Sequence, residues 1–207
     1  EGTGTWSQVI CGLDFVSANS QNYSIKVVNL SLSGGGLSDN NCGNTNSDAL
    51  HLAICRVRDV GITIVTSAGN DSINTNSVVP ASYDDTVITV SALADSDGQT
   101  GGNGATTSAG PDDTFAIFSN FGSEVDLGAP GVGINSTWVG GSYNVMNGTS
   151  QAAPHVSAAA ALYLKNNPTA NFSQVQSALL TTAEPLNSGH ADPSGNHPEG
   201  VVKVNSF

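Results

Sequence analysis

The sequence predicts an α/β fold on a parallel sheet, and three apolar runs carry that prediction. Val27-Val28-Asn29-Leu30, the stretch 62–66 and the stretch 87–90 are short and rich in β-branched residues. Such runs read as buried parallel strands, and the first two stop abruptly in small and polar residues. In open α/β sheets ligands bind at that carboxyl end. Along the chain, Trp6 to Leu13 offers an apolar helix face on which Cys11 is expected as a buried free thiol. The first strand opens into Ser31-Leu32-Ser33-Gly34, and a helix follows Asp48, with His51 expected solvated or at the core edge. The second strand opens into Ser67-Ala68-Gly69-Asn70. The Gly-rich stretch 91–110 and its neighbours Asp95, Asp97, Asp112 and Asp113 read as a solvated loop. A small-residue helix follows Ser150, and the loop 187–199 returns 201–204 as a short last strand.

Asn147-Gly148-Thr149-Ser150-Gln151-Ala152-Ala153-Pro154-His155-Val156 places one hydroxyl at the mouth of a buried helix. Gly148 allows a tight approach turn, and Pro154 is expected in the first turn, where N–H groups lack intrahelical partners. A positive helix N-terminus stabilises negative charge developing near Ser150, as acyl transfer to a serine requires. Ser150 acting only as a helix cap is the plainer alternative.

Together, these three segments resemble the subtilisin-like serine proteases, in that family's order and over essentially all 207 residues. The resemblance implies a three-layer fold and a serine endopeptidase working through an acyl-enzyme on Ser150. It assigns the Asn70 side-chain amide, with the Ser150 backbone N–H, to the oxyanion hole. It assigns Ser31, Leu32, Ser33 and Gly34 to the segment that pairs with polypeptide substrate, Ser67, Ala68 and Gly69 to the opposite wall of the first specificity pocket, and Val78 to its floor. Ser33 stands where the family more often has Gly, and a shallow apolar pocket is expected. Gln151 stands where Met is common; since an amide does not form a sulfoxide, tolerance to peroxide is expected.

The family's catalytic Asp and His precede these segments, and none of His51, His155, His190 and His197 has the family's setting for the base. His155 points about 140° around the helix from Ser150 and is expected to pack structurally. The resemblance therefore implies that 1–207 is the carboxyl-terminal portion of a single peptidase domain, that the sheet lacks its amino-terminal part, and that Glu1-Gly2-Thr3-Gly4 is a cut surface loop. The expected partner is an amino-terminal fragment bearing Asp and His, covering an otherwise bare strand edge. A propeptide or protein inhibitor is a further expected partner.

The resemblance also implies a Cys42–Cys55 disulfide and secretion, consistent with an oxidising compartment. It implies structural Ca²⁺ held by Asp126 with Asp84 and Val87, although one extra residue near Asp84-Asp85 disturbs the register. Composition narrows the function. With 17 acidic against 5 basic residues and a net charge of −12, nucleic acid is an unsuitable partner, and no apolar stretch approaches a membrane span. Two alternatives to an active protease are a silent fragment that binds peptide or inhibitor, and an α/β-hydrolase esterase. Ser150, Asp192 and His197 follow the esterase's chain order, but Ala152 breaks its Gly-x-Ser-x-Gly motif.

Overall fold

A computed structural model describes residues 3–204; Glu1 and Gly2 of the expected cut loop lie outside them. In chain order the elements are α1 (Trp6–Tyr23), β1 (Val27–Leu30), β2 (Gly34–Gly35), α2 (Ala49–Asp59), β3 (Thr63–Ser67), β4 (Val78–Val79), β5 (Ile88–Ala94), β6 (Thr114–Phe115), β7 (Leu127–Pro130), β8 (Ile134–Trp138), β9 (Ser142–Met146), α3 (Thr149–Asn166), α4 (Phe172–Thr182) and β10 (Gly200–Val201). The central sheet runs β1-β3-β5-β7-β10, every neighbouring pair parallel, with β6 antiparallel to β5. All three predicted strands are present, and β1 lies at the edge.

Alternation along the strands sends side chains into two separate cores, which makes the fold three layers deep. Ile64 faces Leu50, Ile54 and Val57 of α2 and Leu13 of α1. Its neighbour Val65, with Val90 and Leu127, faces α3 and α4. On α3 the buried apolar positions are Ala152, Ala153, Val156, Ala159, Ala160 and Leu164. This one-sided stripe of mostly Ala lets the helix backbone approach the sheet closely.

Several local expectations need correction. Cys11 is exposed and unpaired. The core stripe of α1 is carried by Trp6, Val9, Ile10, Leu13 and Val16, and Cys11 sits one step of about 100° past Ile10, on the outer face. His51 is fully buried, with Nε2 2.7 Å from Asp85 Oδ1, Nδ1 3.3 Å from Asp39 Oδ1, and its ring stacked on Tyr83 at 4.0 Å. The Nδ1 approach does not make a hydrogen bond, and Nδ1 is left without a hydrogen-bond partner among the described residues. Asp112 and Asp113 are buried too, because they accept backbone N–H groups from Ser96 and Gly104, and from Gly101 and Gly102. They organise the Gly-rich loop from inside. The last strand is Gly200–Val201 and does not reach residue 204.

Candidate active site

Two sheet strands and one helix converge on Ser150. Helix α3 begins at Thr149, with Gly148 as N-cap at φ 154°, a backbone region that favours glycine. A Cβ on Gly148 would come within 2.7 Å of Gln151 Oε1. Ser150 is thus the second helical residue and caps nothing. Its Oγ has no hydrogen-bond partner among the described residues, and its backbone N–H has no acceptor there.

Pro154 lies in the second turn, not the first as the sequence reading placed it. Having no N–H, it leaves the Ser150 carbonyl without its usual i+4 donor. Ser31 Oγ fills that gap, donating to Ser150 O at 2.8 Å. Asn29 supports it in turn: Asn29 Nδ2 donates to Ser31 Oγ, while Asn29 Oδ1 accepts from Ser157 Oγ. A hydrogen-bonded chain therefore ties the end of β1 to the start of α3.

On the other side, Asn70 stands exposed in the loop that leaves β3. Its Oδ1 accepts from Thr149 N at 2.8 Å and from Thr149 Oγ1 at 3.0 Å. Because the oxygen is taken, the amide's two N–H bonds remain available for a ligand. Thr149 Oγ1 also accepts from Gly69 N, at 3.0 Å. Thr149 and Asn29 were not singled out in the sequence. Thr149 sits one residue from Ser150 and Asn29 two from Ser31, but what each does depends on a partner far away in the chain.

Ser31, Leu32 and Ser33 belong to no strand, whereas Gly34 begins β2, which pairs antiparallel with β4 through Gly34 to Val79 and Gly35 to Val78. Gly34 packs its backbone on Trp6, and a Cβ there would meet the indole at 2.6 Å. Across from this segment, Ser67 and Ala68 are buried, and Val78 Cγ1 lies 3.7 Å from where a Cβ on Gly69 would be. Beyond Ser150 opens a cavity of about 460 Å³, bordered by Ile134, Trp138, Met146, Gln151 and His155. His155, expected to pack, is exposed, with Nδ1 2.9 Å from Gln151 O. Gln151 Nε2 lies 3.9 Å from Met146 Sδ, so a thioether borders this cavity even though Gln151 itself carries none.

The esterase arrangement does not form. Asp192 accepts from the His197 backbone N–H, the His197 ring pairs with Glu199 at 2.8 Å, and both line a cavity separate from that at Ser150.

Asp126 is part-buried just before β7, accepting from Thr89 N and Gln176 Nε2. Burial, and then the nearby Asp84 and Glu199, push its carboxyl up to about 7 against the hydrogen bonds that favour its charged form. Partial burial, Glu124 and Asp85 likewise raise Asp84. In the same loop Val87 is buried, and Ser82 Oγ and Thr86 Oγ1 are buried without a partner among the described residues. Cys42 and Cys55 form the expected disulfide.

Residues 4–200 match the model of the Subtilase family. The chain belongs to the subtilase family. It is 41% identical over 198 residues to the extracellular serine proteinase of Thermus sp. (strain Rt41A), covering 93% of this chain and 41% of that protein. Against the subtilisin of Bacillus pumilus it is 37% identical over 206 residues, 98% of this chain and 62% of that one. The subtilase architecture is equally plain in a solved structure, that of a cold-adapted subtilisin-like serine proteinase. The TM-score is 0.77 at 32% identity, covering 100% of this chain and 64% of that one. This subtilase chain thus spans less than two thirds of each of these relatives. Among its described residues no helix is long and apolar enough to cross a membrane.

Proposed function

We propose that this chain carries the nucleophile and oxyanion hole of a secreted serine endopeptidase. The observation that carries the reading is the Asn70 amide. Thr149 holds its oxygen, so its N–H groups stand free beside the unpaired N–H of Ser150 at a helix N-terminus. Ser150 Oγ attacks the peptide carbonyl, its proton passes to a histidine, Asn70 and the Ser150 N–H stabilise the oxyanion, and water releases the acyl group. That histidine and its aspartate are supplied by a segment preceding these residues, since no histidine of this chain bonds to the Ser150 side chain.

The substrate is polypeptide, added as a strand along Ser31-Leu32-Ser33, whose backbone belongs to no strand. Ser67, Ala68, Gly69 and Val78 would border the first side-chain pocket, and the nearness of Val78 to Gly69 makes it shallow and apolar. The disulfide and the extracellular relative support secretion, and a propeptide or protein inhibitor would occupy the same segment.

Structural Ca²⁺ at the Asp126 site is part of this proposal. What supports it is a part-buried carboxylate with Asp84 and Glu199 nearby and no cationic partner among the described residues, a hard oxygen donor lacking charge compensation. Asp126, with Asp84 and Val87, would hold the ion, whose contribution there is structural.

A fluorophosphonate probe tests the catalytic reading. Labelling of Ser150, read by mass, is expected when the preceding segment accompanies the chain and not with the chain alone. Absence of labelling in both would instead favour a silent fragment that binds peptide or inhibitor.

A further inference from the structure

Asn120 hydrogen-bonds to neither Ser150 nor the Asn70 side chain, yet it grips the loop carrying Asn70 from both ends. It is fully buried. Before Asn70, its Nδ2 donates to Ala68 O at 2.9 Å and its backbone N–H donates to Gly69 O at 3.0 Å. After Asn70, its Oδ1 accepts from Asp71 N at 2.9 Å and from Ile73 N at 3.1 Å. The fit is close: a Cβ on Gly69 would lie 2.3 Å from Asn120 Nδ2. Only an amide of this length presents a donor to the incoming carbonyl and an acceptor to two outgoing N–H groups at once. Asn120 itself is held by its neighbours, since Ser72 N donates to Phe118 O and Phe121 N donates to Ile73 O.

Resting on the serine-protease reading above, we propose that Asn120 is a positioning residue for the oxyanion hole. Thr149 sets the roll of the Asn70 amide, and Asn120 sets where the loop holds it. Oxyanion donors act through preorganisation, and a small displacement of one costs rate while leaving substrate binding intact.

The test uses the active enzyme, with the preceding segment present, and two variants. Asn120→Asp keeps the acceptor and exchanges the Nδ2 donor for a second oxygen facing Ala68 O, while Asn120→Ser removes most of the clamp. The expected result for each is a loss in kcat of about ten- to a hundredfold with KM changed by less than about twofold. Affinity for a peptide aldehyde, whose adduct carries the oxyanion, should fall in parallel. In an Asn70→Ala background the same substitutions should cost less than about threefold, because the donor they position is gone. An equal loss in both backgrounds, or a loss carried by KM, would overturn the proposal. So would full activity in a folded variant. If Asn120→Ser does not fold, Asn120→Asp decides by the same comparison. An unsubstituted enzyme that neither labels at Ser150 nor cleaves peptide would overturn the protease reading and this inference with it. A labelled enzyme that is indifferent to Asn120 would overturn this inference alone.

Discussion

The junction between Pro154 and Ser31 shows how one residue's missing donor is answered by another 123 positions earlier in the chain. Proline was legible as part of the motif, but its cost, an orphaned Ser150 carbonyl, is met only in three dimensions. Removing the Ser31 hydroxyl is expected to lower stability by about 1 kcal/mol, the usual net worth of such a bond, measured by denaturant unfolding of Ser31→Ala. Asp39 offers a second case at this scale. Burial works against its charge, but hydrogen bonds from Thr45, Gly43 and Asn41 win and hold its carboxyl below the usual range. A carboxylate lowered in the folded state contributes stability above the unfolded value of 3.8 and loses it as the pH falls through the folded value. Asn at this position should therefore lower the melting temperature at pH 7, with the gap from the parent closing in acid below about pH 4. A gap that stays constant from pH 7 to pH 2 would contradict the assignment.

At the scale of elements, α2 is held by several separate restraints. Asp48 caps it by accepting from Leu50 N and His51 N, the Tyr83 hydroxyl donates to Asp48, and the disulfide fastens it to the preceding loop. His51 was read as near the surface because helical spacing says which face a residue shares, and nothing in the spacing shows that carboxylates from two other loops will close over that face. The cross-link closes a loop of 13 residues. Converting both cysteines to Ala should cost roughly 3 kcal/mol, seen in the denaturation midpoint. The site of Asp126 belongs to this scale as well, since it joins β5 at Thr89 to the approach to β7 and to α4 through Gln176. Ca²⁺ should raise the melting temperature of the parent chain and leave Asp126→Ala unmoved, and chelation should reverse the gain.

Across the whole molecule, exposed apolar side chains are spread over several elements, Phe15 and Tyr23 of α1 among them. Helix α3 shows Leu162, the β8–β9 hairpin shows Trp138, Val139, Tyr143 and Val145, and β1 leaves one backbone edge unpaired within the described chain. An unpaired strand edge next to apolar surface favours association. By itself the chain is expected to self-associate at rising concentration, in sedimentation velocity, and to become monodisperse when the preceding segment is supplied. Concentration-independent monomers of the chain alone would exclude an unmet interface there.

The parallel sheet, the helix opening at Ser150 and the loop carrying Asn70 were all legible in the sequence. Strand composition, glycine placement and the order of short motifs are local signals, and local geometry follows from them directly. Tertiary structure decided everything that depends on long-range pairing. Thr149 acquires its part by bonding Gly69 and Asn70, Asn29 and Ser31 theirs by reaching α3, and Asn120 its grip on residues 68–73. Asp112 and Asp113 passed from an assumed solvated loop to its buried framework for the same reason. A buried polar group must find a partner, and which distant backbone supplies it is fixed when the layers pack.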